Sequence, residues 1–570
     1  MNRRDMLKGV IGLPFVEPLG FGQAWAQPAA APSGRRFIDV HCHFFNAADL
    51  PVRGFISVVV LSDYAAVQQA PRGLLSTLRL DIWKSLAGTL ADFVLRSRAP
   101  TPREELQCLS QAAACRDFAV AATRSIGPDE YARRLADILD ERLDNGGAEN
   151  RTRGLGPAPV QDENAFLDFV LEEMNAAGVN TPDRTVRSLR SGPADRPNTL
   201  ARVSDFLLAG RSAFSRYFDW GKLLSSYRNQ IAQAYLTLED PGRNRLMLAT
   251  PALVDYNYWL GDQSPAALKE QIAVMRAMSL RQPRPVHAFA PFDPLRAMRG
   301  KPDEPSALAI AQEAVRDHGF LGVKLYSPMG FRPRGNAERP LSFPAHASMG
   351  EEGFGGRLDE ALTALYRWCH DEDVPIMAHT LDSQAAGDGF GARADPSFWL
   401  AVLEQFPALR LNLAHFGYFT HALASGSDPL AAFDQTWERQ IGTFVGDARF
   451  KNIFADISYF WWALPEGRAD AVRLTAAKKL FARYFERFDP RVESLMFGTD
   501  WVMTGRASGF DHYTESVESF FKEIGLTEPQ LDNLFYRNAL RFLGLTPAAK
   551  PAARLEKFYR DNGRAPPSFA

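Results

Sequence analysis

Apolar residues gather in eight short segments, 37–43, 245–250, 286–291, 320–326, 374–379, 409–415, 452–457 and 495–500. Each has the length of a strand, and most are flanked by Gly, Pro or Asp. Several alternate little between apolar and polar, as parallel strands buried on both faces do. Between them, 268–280, 307–318, 358–370, 396–405 and 470–488 carry apolar residues at helical spacing. Strands alternating with helices, eight strands in all, predict an α/β chain of the (β/α)8 TIM-barrel class.

One interval breaks the rhythm. Segments two to eight start 34–54 residues apart, but about 200 residues separate the first from the second. That stretch reads as helices at 74–96, 103–122, 129–144, 163–177, 199–208 and 220–238, with loop-like composition at 145–162 and 184–198. The expected organisation is a barrel from 27–43 and 241–545, a mainly helical insertion at 44–240, and a C-terminal tail at 546–570. A Gly-, Pro- and Arg-rich loop at 327–357 follows strand four. Both the insertion and this loop leave the strand ends where barrel active sites are built.

Composition narrows the class. Hydrophobic residues make up 46% and charged residues 23%, which excludes a mainly disordered, collagenous or coiled-coil chain. The net charge of −2 gives no reason to expect nucleic acid or an anionic membrane as partner. Oligomeric state stays open. Residues 1–26 carry Arg3-Arg4, a mildly apolar stretch and Ala24-Trp25-Ala26, and resemble a twin-arginine export signal. Its removal would leave no membrane-spanning segment and place residues 27–570 in the periplasm. Of the four cysteines, Cys108 and Cys115 lie seven apart on a predicted helix, and pairing them requires a break between them. Cys42 and Cys369 read as packing residues.

The chemistry sits at strand ends. Strand one closes Asp39-Val40-His41-Cys42-His43, and simple alternation points His41 and His43 the same way. Strand five ends at His379, strand six at His415 and strand eight at Asp500. Four of the ten histidines fall at these ends, which suits a divalent metal. Lys324 stands near the end of strand four. Tyr326, Tyr418, Trp501 and the run Tyr459-Phe460-Trp461-Trp462 either wall a pocket for a planar small molecule or cover the insertion. Arg332 and Arg334 either grip a substrate carboxylate or are solvated loop charges.

The paired histidines of strand one, the later histidines and the terminal aspartate resemble the amidohydrolase superfamily. Phe497-Gly498-Thr499-Asp500-Trp501 and Asn538-Ala539-Leu540-Arg541-Phe542-Leu543-Gly544-Leu545 are similar to its amidohydrolase-related (amidohydrolase-2) branch. The resemblance implies that His41, His43, His379 and Asp500 hold one divalent ion, with Zn²⁺ first in line. It implies a water acidified by that ion, with Asp500 as proton shuttle and His415 as oxyanion donor or proton guide. If Lys324 is carboxylated, as in two-metal members, two ions are implied. The expected reaction is hydrolysis of an amide, ester or lactone in a small molecule. Non-oxidative decarboxylation is the alternative within the branch, and a non-catalytic barrel scaffold carrying a helical binding module is the alternative outside it.

Overall fold

The computed structural model describes residues 34–60, 75–110, 128–144, 166–167, 169–174, 196–209, 215–240 and 245–569, the last span without 283, 301–304, 339–340, 383–384 and 425–427. Residues 1–26 and Cys115 lie outside the described residues, as do parts of the predicted helices 103–122 and 163–177. Among the described residues no helix is long and apolar enough to cross a membrane.

The chain divides into two compact units, one holding Asn46–Tyr227 and the other holding the strands. The strands are β1 (Phe37–Cys42), β2 (Leu246–Pro251), β3 (Phe289–Pro291), β4 (Gly322–Leu325), β5 (Ile376–His379), β6 (Leu411–Ala414), β7 (Ile453–Asp456) and β8 (Leu495–Met496). All pairings are parallel, in the orders β1-β2 and β3-β4-β5-β6-β7-β8. Isolated parallel bridges Ala249↔Val286 and Ala252↔Phe289 join β2 to the β3 segment. Val40 N–H donates to the Phe497 carbonyl at 3.2 Å, and Asp500 N–H donates to the His41 carbonyl at 2.7 Å, joining β8 back to β1. Hydrogen bonds therefore run round all eight strands, as a (β/α)8 barrel requires.

Ile38, Val40, Leu248, Met377, Phe454 and Met496 share one core cluster with Ala539, Phe542 and Leu543 of the closing helix Asn538–Leu543. The Phe542 ring stacks on Phe289 at 6.0 Å and 8° and meets Phe454 at 5.8 Å. Gly322 makes room for this plug, since a Cβ there would lie 2.5 Å from the Phe289 ring.

Three features depart from the sequence reading. The helix expected at 220–238 is two helices, Ser215–Leu224 and Arg228–Glu239. Ser225 and Ser226 hydroxyls donate to the carbonyls of Gly221 and Lys222 at 3.4 and 3.3 Å, the local bonding by which serine competes with helix continuation. The second of these helices belongs with the barrel rather than the insertion: Tyr235 donates to Asp39 at 2.7 Å, and Trp501 Nε1 donates to the Ile231 carbonyl at 3.2 Å. The tail contains a helix, Lys550–Asp561, whose Leu555, Phe558 and Tyr559 join the core. Its apolar spacing was masked by the surrounding Pro and Ala.

The Asn46–Tyr227 unit has its own core. Leu135, Ile138, Val203 and Leu224 are buried, and Phe93 packs against Tyr131 and Phe218 at 5.7 and 6.1 Å. Gly221 lets helices approach closely, a Cβ there meeting Leu90 at 3.0 Å. Helix Pro102–Ser110 carries Cys108, which is disulfide-bonded.

The tail helix brings a pH-sensitive contact. His287 is fully buried, its Nδ1–H donating to the Gly319 carbonyl and its Nε2 accepting from the Tyr559 hydroxyl, both at 2.8 Å. Burial lowers its pKa to about 4. A histidine held neutral in the fold contributes stability above its unfolded pKa of about 6.5, and that contribution is lost as pH falls towards 4. We expect the wild type to lose of the order of 3 kcal/mol more than His287→Gln across that window, at ~1.4 kcal/mol per pKa unit. Denaturation midpoints at pH 7 and pH 4.5 check it, and equal pH slopes would refute it.

Candidate metal centre

The site is built where the strands end. The β1–β2 register slips between Asp39 and Cys42, the mark of a bulge. Val40 faces the core cluster and Asp39 faces Tyr235, while the extra residue lets His41 turn inward beside Val40. The inward direction of His41 thus comes from the bulge and not from strict alternation. Asp39 ties β1 to β8, accepting from Thr499 N–H at 3.0 Å and Thr499 Oγ1 at 2.5 Å. Burial raises its pKa to about 7. Gly498 is needed for closeness, because a Cβ there would lie 3.1 Å from the Cβ atoms of both His41 and Ser458.

His41, His43 and Asp500 converge, their ligand-type atoms all within 4.8 Å of one another. His43 Nε2 lies 3.1 Å from Asp500 Oδ1, and His41 Nε2 lies 4.0 Å from the same oxygen. Ligands that bind an ion at about 2.0–2.2 Å sit at separations of this order. His43 Nδ1–H donates to the Ala252 carbonyl at 2.7 Å, which leaves Nε2 free to bind. The His415 ring lies 4.7 Å from His41 and 4.5 Å from His379. His379 is not within 4.8 Å of that group; its ring lies against His415, with both ring nitrogens buried and unpartnered. Asp500 Oδ2 is likewise buried without a partner. Orphaned donor atoms of these types, grouped in one place, fit a divalent cation.

The electrostatics favour uncharged imidazoles at His41, His379 and His415. Burial, reinforced by Lys324, lowers the His41 pKa to about 3. Burial also lowers His379 and His415. Burial opposes ionisation of Asp500, but the imidazoles that face it, His43 first, outweigh it and hold the carboxyl below its ordinary range. Lys324 is buried, its Nζ 2.9 Å from His41 Nε2, and burial lowers its pKa to about 8.

His415 and Asp500 both have left-handed backbones, at φ 72° and 57°. Such strain in non-glycine residues collects at functional turns. Asp456, at the end of β7, holds the first of them, accepting from His415 N–H at 3.1 Å and Ser458 N–H at 3.0 Å. Its other oxygen accepts from Asn412 Nδ2 at 2.7 Å. A second candidate set, His41, His415 and Asp456, is grouped as closely, but these donors already occupy the carboxylate. The sequence reading passes over Asp456 and Ser458, although Asp456 closes β7 as His379 closes β5 and Ser458 follows two residues later.

The remaining sequence candidates separate. Tyr326 faces the site, its ring 4.5 Å from His379. A cavity beside it is lined by Leu253, Asp255, Trp259, Asp293 and Lys324. Tyr418 donates to the Ser458 carbonyl. Trp501 is buried and stacks on Phe510 at 4.9 Å. Phe460 packs into a phenylalanine cluster with Phe481, Phe520 and Phe521. Arg332 pairs with Glu338 at 3.0 Å and lies over Phe398, while Arg334 donates to Thr363 at 3.0 Å.

Residues 290–545 match the family model described as amidohydrolase. No curated protein matches the chain. Among solved structures, a zinc-bound amidohydrolase from Burkholderia multivorans is 14% identical and covers 57% of this chain and 92% of its own, with a TM-score of 0.35. A 5-carboxyvanillate decarboxylase from Novosphingobium aromaticivorans, with bound manganese, is 14% identical and covers 66% and 94%, with a TM-score of 0.35. A 2,6-dihydroxybenzoate decarboxylase from Rhizobium is 15% identical and covers 55% and 87%, with a TM-score of 0.32. The residues that match the amidohydrolase family model supply six of the eight strands and the ends that carry Lys324, His379, His415 and Asp500.

Proposed function

We propose that this chain is a metal-dependent hydrolase of a small molecule with an amide, ester or lactone bond. The carrying observation is the convergence of His41, His43 and Asp500, with the unpartnered nitrogens of His379 beside them. These four residues would hold one divalent ion, Zn²⁺ before Mn²⁺. Such an ion supplies an acidified water and polarises a substrate oxygen. Asp500 Oδ2, buried without a partner, would take a proton and return it to a leaving group. His415 stands beside it with its Nδ1 held by the Ser458 carbonyl at 3.1 Å. Tyr326, its ring 4.5 Å from His379, would flank a substrate at this centre.

Decarboxylation is the second reading, favoured by Lys324, a cationic side chain at the centre that could meet a substrate carboxylate. Chelator-treated protein should lose turnover and regain it with Zn²⁺ or Mn²⁺. A panel of esters, lactones and aromatic acids, followed for both hydrolysis and CO₂ release, separates the two reactions. Turnover that survives metal removal would refute both. We also infer export through residues 1–26, which the disulfide at Cys108 supports, since disulfides are rare in reducing compartments. A mature N-terminus at Gln27 in a periplasmic fraction tests that.

A further inference from the structure

Ser458 stands between two histidines. Its Oγ lies 2.7 Å from His41 Nδ1, 3.0 Å from His415 Nδ1 and 2.5 Å from Asp456 Oδ1. A serine hydroxyl has one proton to give and two lone pairs to accept with. An ionised carboxylate only accepts, so the shortest of the three contacts takes the proton. Both imidazole contacts must then be donated to Oγ, which requires a proton on each Nδ1. Two other acceptors agree: the Asp456 carboxylate at 3.3 Å from His41 Nδ1, and the Ser458 carbonyl at 3.1 Å from His415 Nδ1. On the far side of His41, Nε2 accepts from Lys324 Nζ, as a bare nitrogen would.

We propose that Ser458, backed by Asp456, is a positioning residue that locks His41 and His415 together in the tautomer with a bare Nε2. For His41 that nitrogen is a ligand. For His415 it makes the resting ring a proton acceptor rather than an oxyanion donor. The functional meaning of this lock rests on the metal-centre reading above, but the lock itself is read without metal.

Nitrogen-15 imidazole spectra of the full-length, chelator-treated protein test it, with signals assigned by their loss in His41→Asn and His415→Asn. The expected result is Nδ1–H and bare Nε2 at both positions. A proton on Nε2 of either ring overturns the proposal. Ser458→Ala should give mixed tautomers and weaken Zn²⁺ binding about 10- to 100-fold, the usual effect of removing a partner behind a ligand. Unchanged tautomers and Zn²⁺ affinity in that variant also overturn it. A wild type that shows Nδ1–H and a bare Nε2 at both positions and binds no Zn²⁺ refutes the functional reading and leaves the lock standing.

Discussion

Asp500→Asn is expected to lower kcat/KM about 10²- to 10⁴-fold, the range for losing a general acid–base group. The amide keeps the shape of the carboxylate, so the turn carrying it should persist. It can no longer accept a proton at Oδ2, and its NH₂ can oppose a cation where Oδ1 now faces His43 Nε2 at 3.1 Å. Both kcat and divalent-ion affinity should fall. Steady-state kinetics on the best substrate of the panel, with metal content measured alongside, check this. Activity within threefold of wild type would remove Asp500 from the reaction.

Phe542→Ala should destabilise the barrel by about 3–5 kcal/mol, as deletion of a buried ring does. The side chain is fully buried, stacked on Phe289 and set against Phe454, so its loss opens a cavity beneath β3 and β7 at once. A shift of the denaturation midpoint measures it, and a loss under about 1 kcal/mol would contradict the plug described here.

These two residues also mark how much the sequence could tell. Strand segments were legible because parallel barrel strands are apolar on both faces, and the ends of β5 and β6 were legible because histidine is rare. Alternation alone does not account for the direction of His41, because it ignores the bulge after Asp39, a property of the pairing with β2. Asp456 and Ser458 were illegible because aspartate and serine are common at loop starts, and only the neighbouring imidazoles give them a role. The break before Arg228 depends on serine hydroxyls turning back on the helix, a choice that pattern alone does not fix. The tail helix is hidden because Pro and Ala dominate the start of the segment and leave only three core residues at helical spacing.

The central claim is a single cation shared by strand ends far apart in the chain. Anomalous scattering at the zinc edge, from crystals of the full-length protein loaded with one equivalent of Zn²⁺, tests it most directly. The account predicts one peak within bonding distance of His41, His43 and Asp500, with His379 turned towards it. A peak elsewhere, or none at this position while Zn²⁺ is bound in solution, would contradict it.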